Sequence, residues 1–176
     1  MKIIESSSKV EDLATSVDDN DGVYFVPALT GLGAPYWDAY AKGTITGITR
    51  GTTQAHIARA ALDGIAYQTM DIVNAMQKDA GVDLGALKVD GGASRDNYLM
   101  QFQADLLNTE VVRPTNVETT AKGAAYLAGL AVGFWSSIEE IKSQWSIEKT
   151  FKPEADPERI AKKKAGWADA VRRALS

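Results

Sequence analysis

The residues best suited to chemistry in this chain of 176 residues are two adjacent glycines, Gly91 and Gly92. They lie in the segment LKVDGGASRDNYLMQFQADLL, residues 87–107, which predicts a strand over 87–90, a turn at the glycines and then an amphipathic helix. Because glycine has no Cβ, a ligand can approach the backbone closely at this turn. The start of the helix offers unpaired N–H groups and the positive end of the helix dipole to an anion. The pattern therefore predicts a nucleotide phosphate site.

Composition and charge exclude several other classes of protein. The formal net charge of -4 gives no electrostatic case for a nucleic-acid partner. The sequence contains no cysteine, which excludes disulfides, thiolate metal ligands and a thiol nucleophile. It contains neither a Walker-type phosphate loop, nor the apolar core of a signal peptide, nor a run of about 20 apolar residues that could span a membrane. We therefore expect a cytoplasmic protein with no membrane span.

Helical and strand-like patterns alternate along the chain, which predicts a single α/β domain over residues 1–176. Ser8 and Glu11 have the spacing of a capping box and predict a helix up to about Val17. The run 23–26 is continuously apolar, which predicts a strand buried on both faces. The other predicted elements are strands over 44–49 and 110–113 and helices over 54–79, 120–132 and 157–175.

Two of the predicted helices carry further signals. In the helix over 54–79 the larger apolar residues recur at helical spacing and predict one packed stripe, which consists of Ile57, Ala61, Ile65, Ile72 and Met76. Gly81 is expected to end this helix as a C-cap. The helix over 120–132 is rich in alanine and glycine, so a neighbouring element is expected to approach it closely.

Several conspicuous side chains favour structural roles. His56 lies near a helix start, where a structural role is more plausible than catalysis. Asp90 is expected to fix the turn by accepting backbone N–H groups rather than to bind magnesium, since no second acid is close in sequence. Tyr36 and Trp37 are expected to line a cleft as scaffold. The basic residues of the last helix predict a solvated face: Lys162, Lys163, Lys164, Arg172 and Arg173.

Three segments resemble the glycerol kinase branch of the FGGY carbohydrate kinase family. They are LTGLGAPYWD at 29–38, GTITGITRGTTQAHIARAALD at 43–63 and VDGGASRDNYLMQFQADLL at 89–107, and TTAKGAAYLAGLAVGFW at 119–135 extends the similarity. The resemblance implies a ribonuclease-H-like domain of the actin-like ATPase superfamily, incomplete and lacking its first strands. The phosphate-binding hairpin with which such a domain begins has no counterpart in this sequence.

The activity that the resemblance implies is transfer of the γ-phosphoryl group of MgATP to glycerol, giving sn-glycerol 3-phosphate. The catalytic aspartate, the glycerol contacts and most magnesium ligands would lie in an N-terminal part outside this sequence. No catalytic or metal-binding residue is therefore assigned here, and the fragment alone is expected to be inactive. A homo-oligomer is expected. Two alternatives stay open, namely a kinase of another polyol or sugar in the family and a non-catalytic, self-associating module.

By the same resemblance the residues that bind ATP or ADP would be Gly91, Gly92, Ala93, Asp96 and Asn97. The N–H of Gly92 would lie beside the α-phosphate, whereas Gly91 could serve only the turn. Asp96 stands where the family commonly carries an asparagine that contacts the nucleotide. Its carboxylate can accept a hydrogen bond from a ribose hydroxyl or an amino group, or it can simply cap the helix. Asn97 could supply the donor instead.

Overall fold

In the computed structural model, which describes residue 4 and residues 6–176, helices and short strands alternate along the chain. In chain order the elements are α1 (Val10–Ala14), β1 (Tyr24–Val26), β2 (Thr44–Thr46), α2 (Gln54–Ala80), β3 (Ala86–Lys88), α3 (Asn97–Leu107), β4 (Glu110–Pro114), α4 (Thr119–Ala131), α5 (Ile138–Ser143), β5 (Ile147–Phe151) and α6 (Pro157–Ala174). Short 3-10 helices occupy Ser7–Lys9 and Gly92–Arg95. The predicted α/β class is confirmed.

The strands form two separate sheets. The larger has the order β3-β4-β5, with β3 parallel to β4 and β5 antiparallel to it. Helix α3 connects the parallel pair, so β3, α3 and β4 make one βαβ unit. The two glycines follow the carboxyl end of β3, which is the edge of an open α/β sheet where ligands bind.

The smaller sheet contains only β1 and β2, paired antiparallel. The predicted burial of the run 23–26 on both faces is only partly correct, because Val23 and Val26 are fully buried whereas Tyr24 and Phe25 are half-buried. The continuous apolar run 23–26 therefore belongs to a two-stranded sheet and not to the centre of a large one. Both faces are partly covered by helices, since α2 and α6 pack against β1.

Helices α2, α3 and α6 enclose the main apolar core together with the inner face of the larger sheet. At its centre the ring of Tyr67 stacks on Trp167, with centroids 4.9 Å apart, and meets the edge of Phe102 at 5.4 Å. Each buried ring of this kind contributes about 1.5–3 kcal/mol through burial. This core supports the βαβ unit and therefore the turn that follows β3.

The predicted packed stripe of α2 was wrong. Ile65, Ile72 and Met76 are 43%, 45% and 64% exposed, and the buried face consists mainly of alanines with Leu62, Tyr67 and Met70. Small residues let β1 approach closely. A Cβ on Gly64, for example, would lie 2.4 Å from the carbonyl oxygen of Phe25. Closeness of approach, and not side-chain size, selects the face of α2 that is buried.

Helices α4 and α5 lie outside the main apolar core. Gly129 is the one buried residue of α4. The ring of Trp135 lies against Gly129, where an added Cβ would be 2.1 Å from a ring atom. The close contact that was predicted at the small residues of this helix is thus made by the side chain of Trp135. Helix α5 and strand β5 were not predicted. No helix in the described part of the chain is both long and apolar enough to cross a membrane.

Candidate functional site

The turn after β3 depends on the backbone conformation of Gly91. Its φ of 79° and ψ of 176° lie in a region that only glycine adopts without strain. Its N–H donates to the carbonyl oxygen of Val117 at 2.8 Å. Because this N–H is engaged, Gly91 shapes the turn and does not offer its own amide to a ligand.

A 3-10 helix, Gly92–Arg95, separates the glycines from α3, whereas the sequence predicted that the α-helix follows the turn directly. Ser94 stabilises this short helix, since its buried hydroxyl and its N–H both donate to the carbonyl oxygen of Gly91, at 2.7 and 3.2 Å. Gly92 and Ala93 are exposed at its amino end. Among the described residues nothing accepts a hydrogen bond from either N–H. These two amides are therefore free donors.

The start of α3 is already capped by carboxylates. Oε1 of Glu11 accepts from the N–H groups of Asn97 and Tyr98 at 3.0 and 3.1 Å, and Oδ1 of Asp96 accepts from Leu99 at 2.8 Å. A helix N-terminus favours negative charge, and α1 brings Glu11 to it. The α3 amides that the sequence offered to an anion are consequently occupied. The predicted Ser8–Glu11 capping box was wrong for the same reason, and α1 begins at Val10 without a side-chain cap.

A cavity of about 630 Å³ lies in front of the free amides. Its apolar wall comes from three helices, and its polar wall from the 3-10 helices and the start of α3. Lining residues are Ser7, Ser8, Val10, Glu11, Leu62, Ile65, Gly92, Ala93, Arg95, Asp96 and Leu99. A mainly apolar cavity of this size with a few convergent polar groups suits an organic ligand of nucleotide dimensions. Of the predicted site residues, Gly92, Ala93 and Asp96 line it.

Asp96 confirms its predicted alternative role as a helix cap, through the Leu99 contact. Burial raises the pKa of its carboxyl group, the Leu99 N–H lowers it, and the nearby Glu11 carboxylate raises it further. Oδ2 of Asp96 is buried and has no hydrogen-bond partner among the described residues. The carboxyl group is therefore held inward by the helix it caps.

Asn97 and Arg113 are joined behind the 3-10 helix. Nη2 of Arg113 donates to Oδ1 of Asn97 at 2.9 Å, and Nη1 donates to the carbonyl oxygen of Ser94 at 2.7 Å. The guanidinium group also forms a two-pronged ion pair with Glu148. Arg113 was not predicted, because a single arginine in a short strand carries no sequence signal for this role.

The structural role predicted for His56 is confirmed. Its Nδ1 accepts from the N–H of Thr53 at 3.0 Å and so caps α2. The role predicted for Asp90 was wrong, since this exposed carboxylate accepts no hydrogen bond from the described residues. Gly91 and Ser94 make the bonds that fix the turn instead.

Two further predictions differ in outcome from one residue to the next. Tyr36 is an anchor, since its hydroxyl donates to Asp71 at 2.7 Å, and Trp167 donates to the same carboxylate oxygen at 2.8 Å. Trp37, by contrast, is 78% exposed. The prediction of a solvated basic face on α6 was wrong for Lys163, because its Nζ lies 3.9 Å from the buried carboxylate of Asp63.

Within residue 4 and residues 6–176, no three His, Cys, Asp or Glu side chains converge in an arrangement that would hold a metal ion. The groups available at the cavity are the backbone amides of Gly92 and Ala93, the polar side chains of the lining and its apolar surface.

Comparison with known proteins gives the family. The model of the FGGY family of carbohydrate kinases, C-terminal domain, matches residues 2–132. Glycerol kinase 2 of Sulfolobus acidocaldarius is 59% identical over 175 residues, which are 99% of this chain and 35% of that protein. Glycerol kinase of Herminiimonas arsenicoxydans is 62% identical over 172 residues, 98% of this chain and 34% of that protein.

Solved structures agree. Plasmodium falciparum glycerol kinase with ADP matches 99% of this chain and 35% of its own, with a TM-score of 0.87 and 38% identity. Xylulose kinase of Lactobacillus acidophilus shares the fold, with a TM-score of 0.77, 24% identity, and coverage of 98% of this chain and 35% of its own. The chain thus spans about a third of the length of these relatives. It belongs to the FGGY family of carbohydrate kinases.

Proposed function

We propose that this chain is the nucleotide-binding part of a glycerol kinase, an enzyme that transfers the γ-phosphoryl group of ATP to glycerol. The observation that carries the proposal is the pair of free N–H groups at Gly92 and Ala93, exposed beside a cavity of about 630 Å³. The relatives that are 59% and 62% identical to it are glycerol kinases, which favours glycerol over other substrates of the family.

The cavity suits ATP by its chemistry. Apolar surfaces of Val10, Leu62 and Ile65 offer contact to the base and sugar, while the amides of Gly92 and Ala93 donate to a phosphate oxygen. A Cβ added at Gly92 would meet no atom within 4 Å, so the space in front of this residue is open to a ligand. Phosphoryl transfer depends mainly on positioning and on charge stabilisation, and backbone donors of this kind supply both.

The remaining predicted residues have assigned roles in this proposal. Asp96 caps α3, so the polyphosphate binds the N–H groups of the 3-10 helix and not those of α3. Asn97 uses its carbonyl oxygen for Arg113, so its amide N–H₂ group is the part that remains available to donate to the nucleotide. Gly91 sets the backbone that presents Gly92. None of these residues abstracts a proton, and we assign no catalytic residue to this chain.

Magnesium, when bound with ATP, neutralises charge on the phosphates. We assign it no ligand within the described residues, where no three suitable side chains converge. The glycerol contacts and the group that accepts the hydroxyl proton are proposed to lie in the part of the longer relatives that this chain does not match. The chain alone is therefore expected to lack kinase activity. A cytoplasmic location and a homo-oligomer remain predictions from the sequence.

A titration of the ¹⁵N-labelled chain with ADP tests the proposal. We expect the amide resonances of Gly92 and Ala93 to shift with ADP concentration, and Gly92→Val to weaken binding by about tenfold or more because its side chain fills the ligand's space. Gly85→Val is the matched control, since a Cβ at Gly85 also meets open space but lies outside the cavity. ADP binding that is unchanged by Gly92→Val, or no response of Gly92 and Ala93, would contradict the proposal.

A further inference from the structure

Arg113 is not among the residues that line the proposed nucleotide cavity. It belongs to β4, the strand next to β3, and is only 7% exposed. Its guanidinium group extends under the 3-10 helix and reaches the carbonyl oxygen of Ser94 and Oδ1 of Asn97, at 2.7 and 2.9 Å. Burying a charged group costs free energy unless its donors have partners. The partners of this guanidinium group therefore decide what it does here.

The charge of Arg113 is balanced on its far side. Both carboxylate oxygens of Glu148 on β5 accept from the guanidinium group, which in turn lowers the pKa of Glu148. The ring of Phe151 lies 5.2 Å from the guanidinium carbon. With Glu148 and Phe151 holding one end, the other end of the planar fork is fixed in direction.

The groups that Arg113 holds are the ones that set the direction of the free amides. Ser94 bonds the carbonyl oxygen of Gly91 through its hydroxyl and its N–H, and Arg113 bonds the carbonyl oxygen of Ser94. The ring closed by the Ser94 N–H and the Gly91 carbonyl oxygen contains Gly92 and Ala93, so a shift of Ser94 rotates the peptide planes that carry the N–H groups of these two residues. Asn97 fixes the following junction with α3.

We infer that Arg113 is a positioning residue for nucleotide binding, which sets the orientation of the Gly92 and Ala93 amides through Ser94 and Asn97. This inference rests on the proposed function. Lysine cannot replace arginine in this role, since one ammonium group on a flexible stem cannot reach the Ser94 carbonyl, Asn97 and Glu148 in fixed directions.

The test uses the full chain and ADP as the probe. Arg113→Lys keeps the charge and is expected to raise the Kd for ADP about tenfold, the value of one hydrogen bond to a charged group. In the free protein the same variant is expected to lose hydrogen-exchange protection at the Ser94 amide, which donates to Gly91. Arg50→Lys is the matched control, because Arg50 is exposed and lies outside the cavity; it should change neither quantity.

A second variant keeps the test decisive if Arg113→Lys does not fold. Glu148→Gln leaves Arg113 and Asn97 in place and removes the charged partner that fixes the guanidinium group, so a smaller rise of Kd, about threefold, is expected. An unchanged Kd in every one of these variants that folds overturns the inference, even if exchange at Ser94 increases. Failure of the wild-type chain to bind ADP overturns the proposed function as well, and the two failures are distinguished by the wild-type titration alone.

Discussion

The main apolar core and the α4 region differ sharply in how they are packed. In the core α2, α3 and α6 enclose rings such as Tyr67 and Trp167, which are 0% and 1% exposed. Outside this core, α4 and the segment after it leave Leu127, Val132 and Phe134 exposed by 72%, 81% and 76%. The candidate site depends on the core side alone, through Ser94 and Arg113. The turn after β3 is thus bonded to a well-packed part of the chain, whereas α4 buries little of its surface.

Truncating one phenylalanine on each side tests this contrast with the same chemical change. Phe102→Ala on α3 is expected to lower the free energy of unfolding by about 3–5 kcal/mol, because it leaves a cavity in the core. Phe134→Ala, whose side chain is exposed apart from the edge of Trp135, is expected to cost less than about 1 kcal/mol. Urea denaturation of both variants measures the two values. Equal losses would show that the α4 side is as tightly packed as the core.

The conformation of Gly91 gives a second, smaller test on the site side. Gly91→Ala is expected to cost about 1–3 kcal/mol, since its φ of 79° with ψ of 176° suits glycine alone. A Cβ there would touch no atom within 4 Å, so backbone strain is the whole cause. Gly85→Ala, with equally open space and no positive φ, should change the unfolding free energy by less than about 0.5 kcal/mol. A cost at Gly91 no larger than at Gly85 would remove the strain argument.

The smallest expected effect concerns Asp96 and pH. Its carboxyl pKa is raised in the folded chain, mainly by burial and further by Glu11. A raised pKa means that the folded state holds the proton more tightly, so this contribution to stability is present at low pH and is lost as the pH rises above about 4, through the folded pKa. Asp96→Asn removes the titration.

Unfolding by urea at a series of pH values, for wild type and Asp96→Asn, measures this contribution as a difference. We expect the stability of the asparagine variant relative to wild type to increase as the pH rises over that window. A difference that is flat with pH would show that Asp96 titrates normally in the folded chain, and one that falls would show that its pKa is lowered; either result contradicts the prediction.

The sequence predicted most of the elements near the site because the signals are local. Strand, glycine pair and helix over 87–107 follow from apolar periodicity and from turn residues, and His56 and Gly81 occupy their predicted places at the two ends of α2. The position of the glycines at the carboxyl end of a parallel strand follows from the same pattern. The free N–H groups of Gly92 and Ala93 therefore lie in the segment 87–107, where the sequence predicted the site.

The errors arise where tertiary contacts override local pattern. Glu11 has the spacing of a capping box for its own helix but caps α3, 86 residues away in sequence. The larger apolar residues of α2 form a regular stripe, yet alanines and Gly64 are buried because β1 comes within contact distance. Arg113 acts through contacts that span three separate segments, so no window of sequence reveals it.

A crystal structure of the chain with ADP would test the central claim most directly. We predict a phosphate oxygen within about 3.2 Å of the backbone nitrogen of Gly92 or Ala93, with Glu11 still bonded to the start of α3. A phosphate bound at the α3 amides with Glu11 displaced, or a nucleotide seated on the α4 side of the sheet, would contradict it.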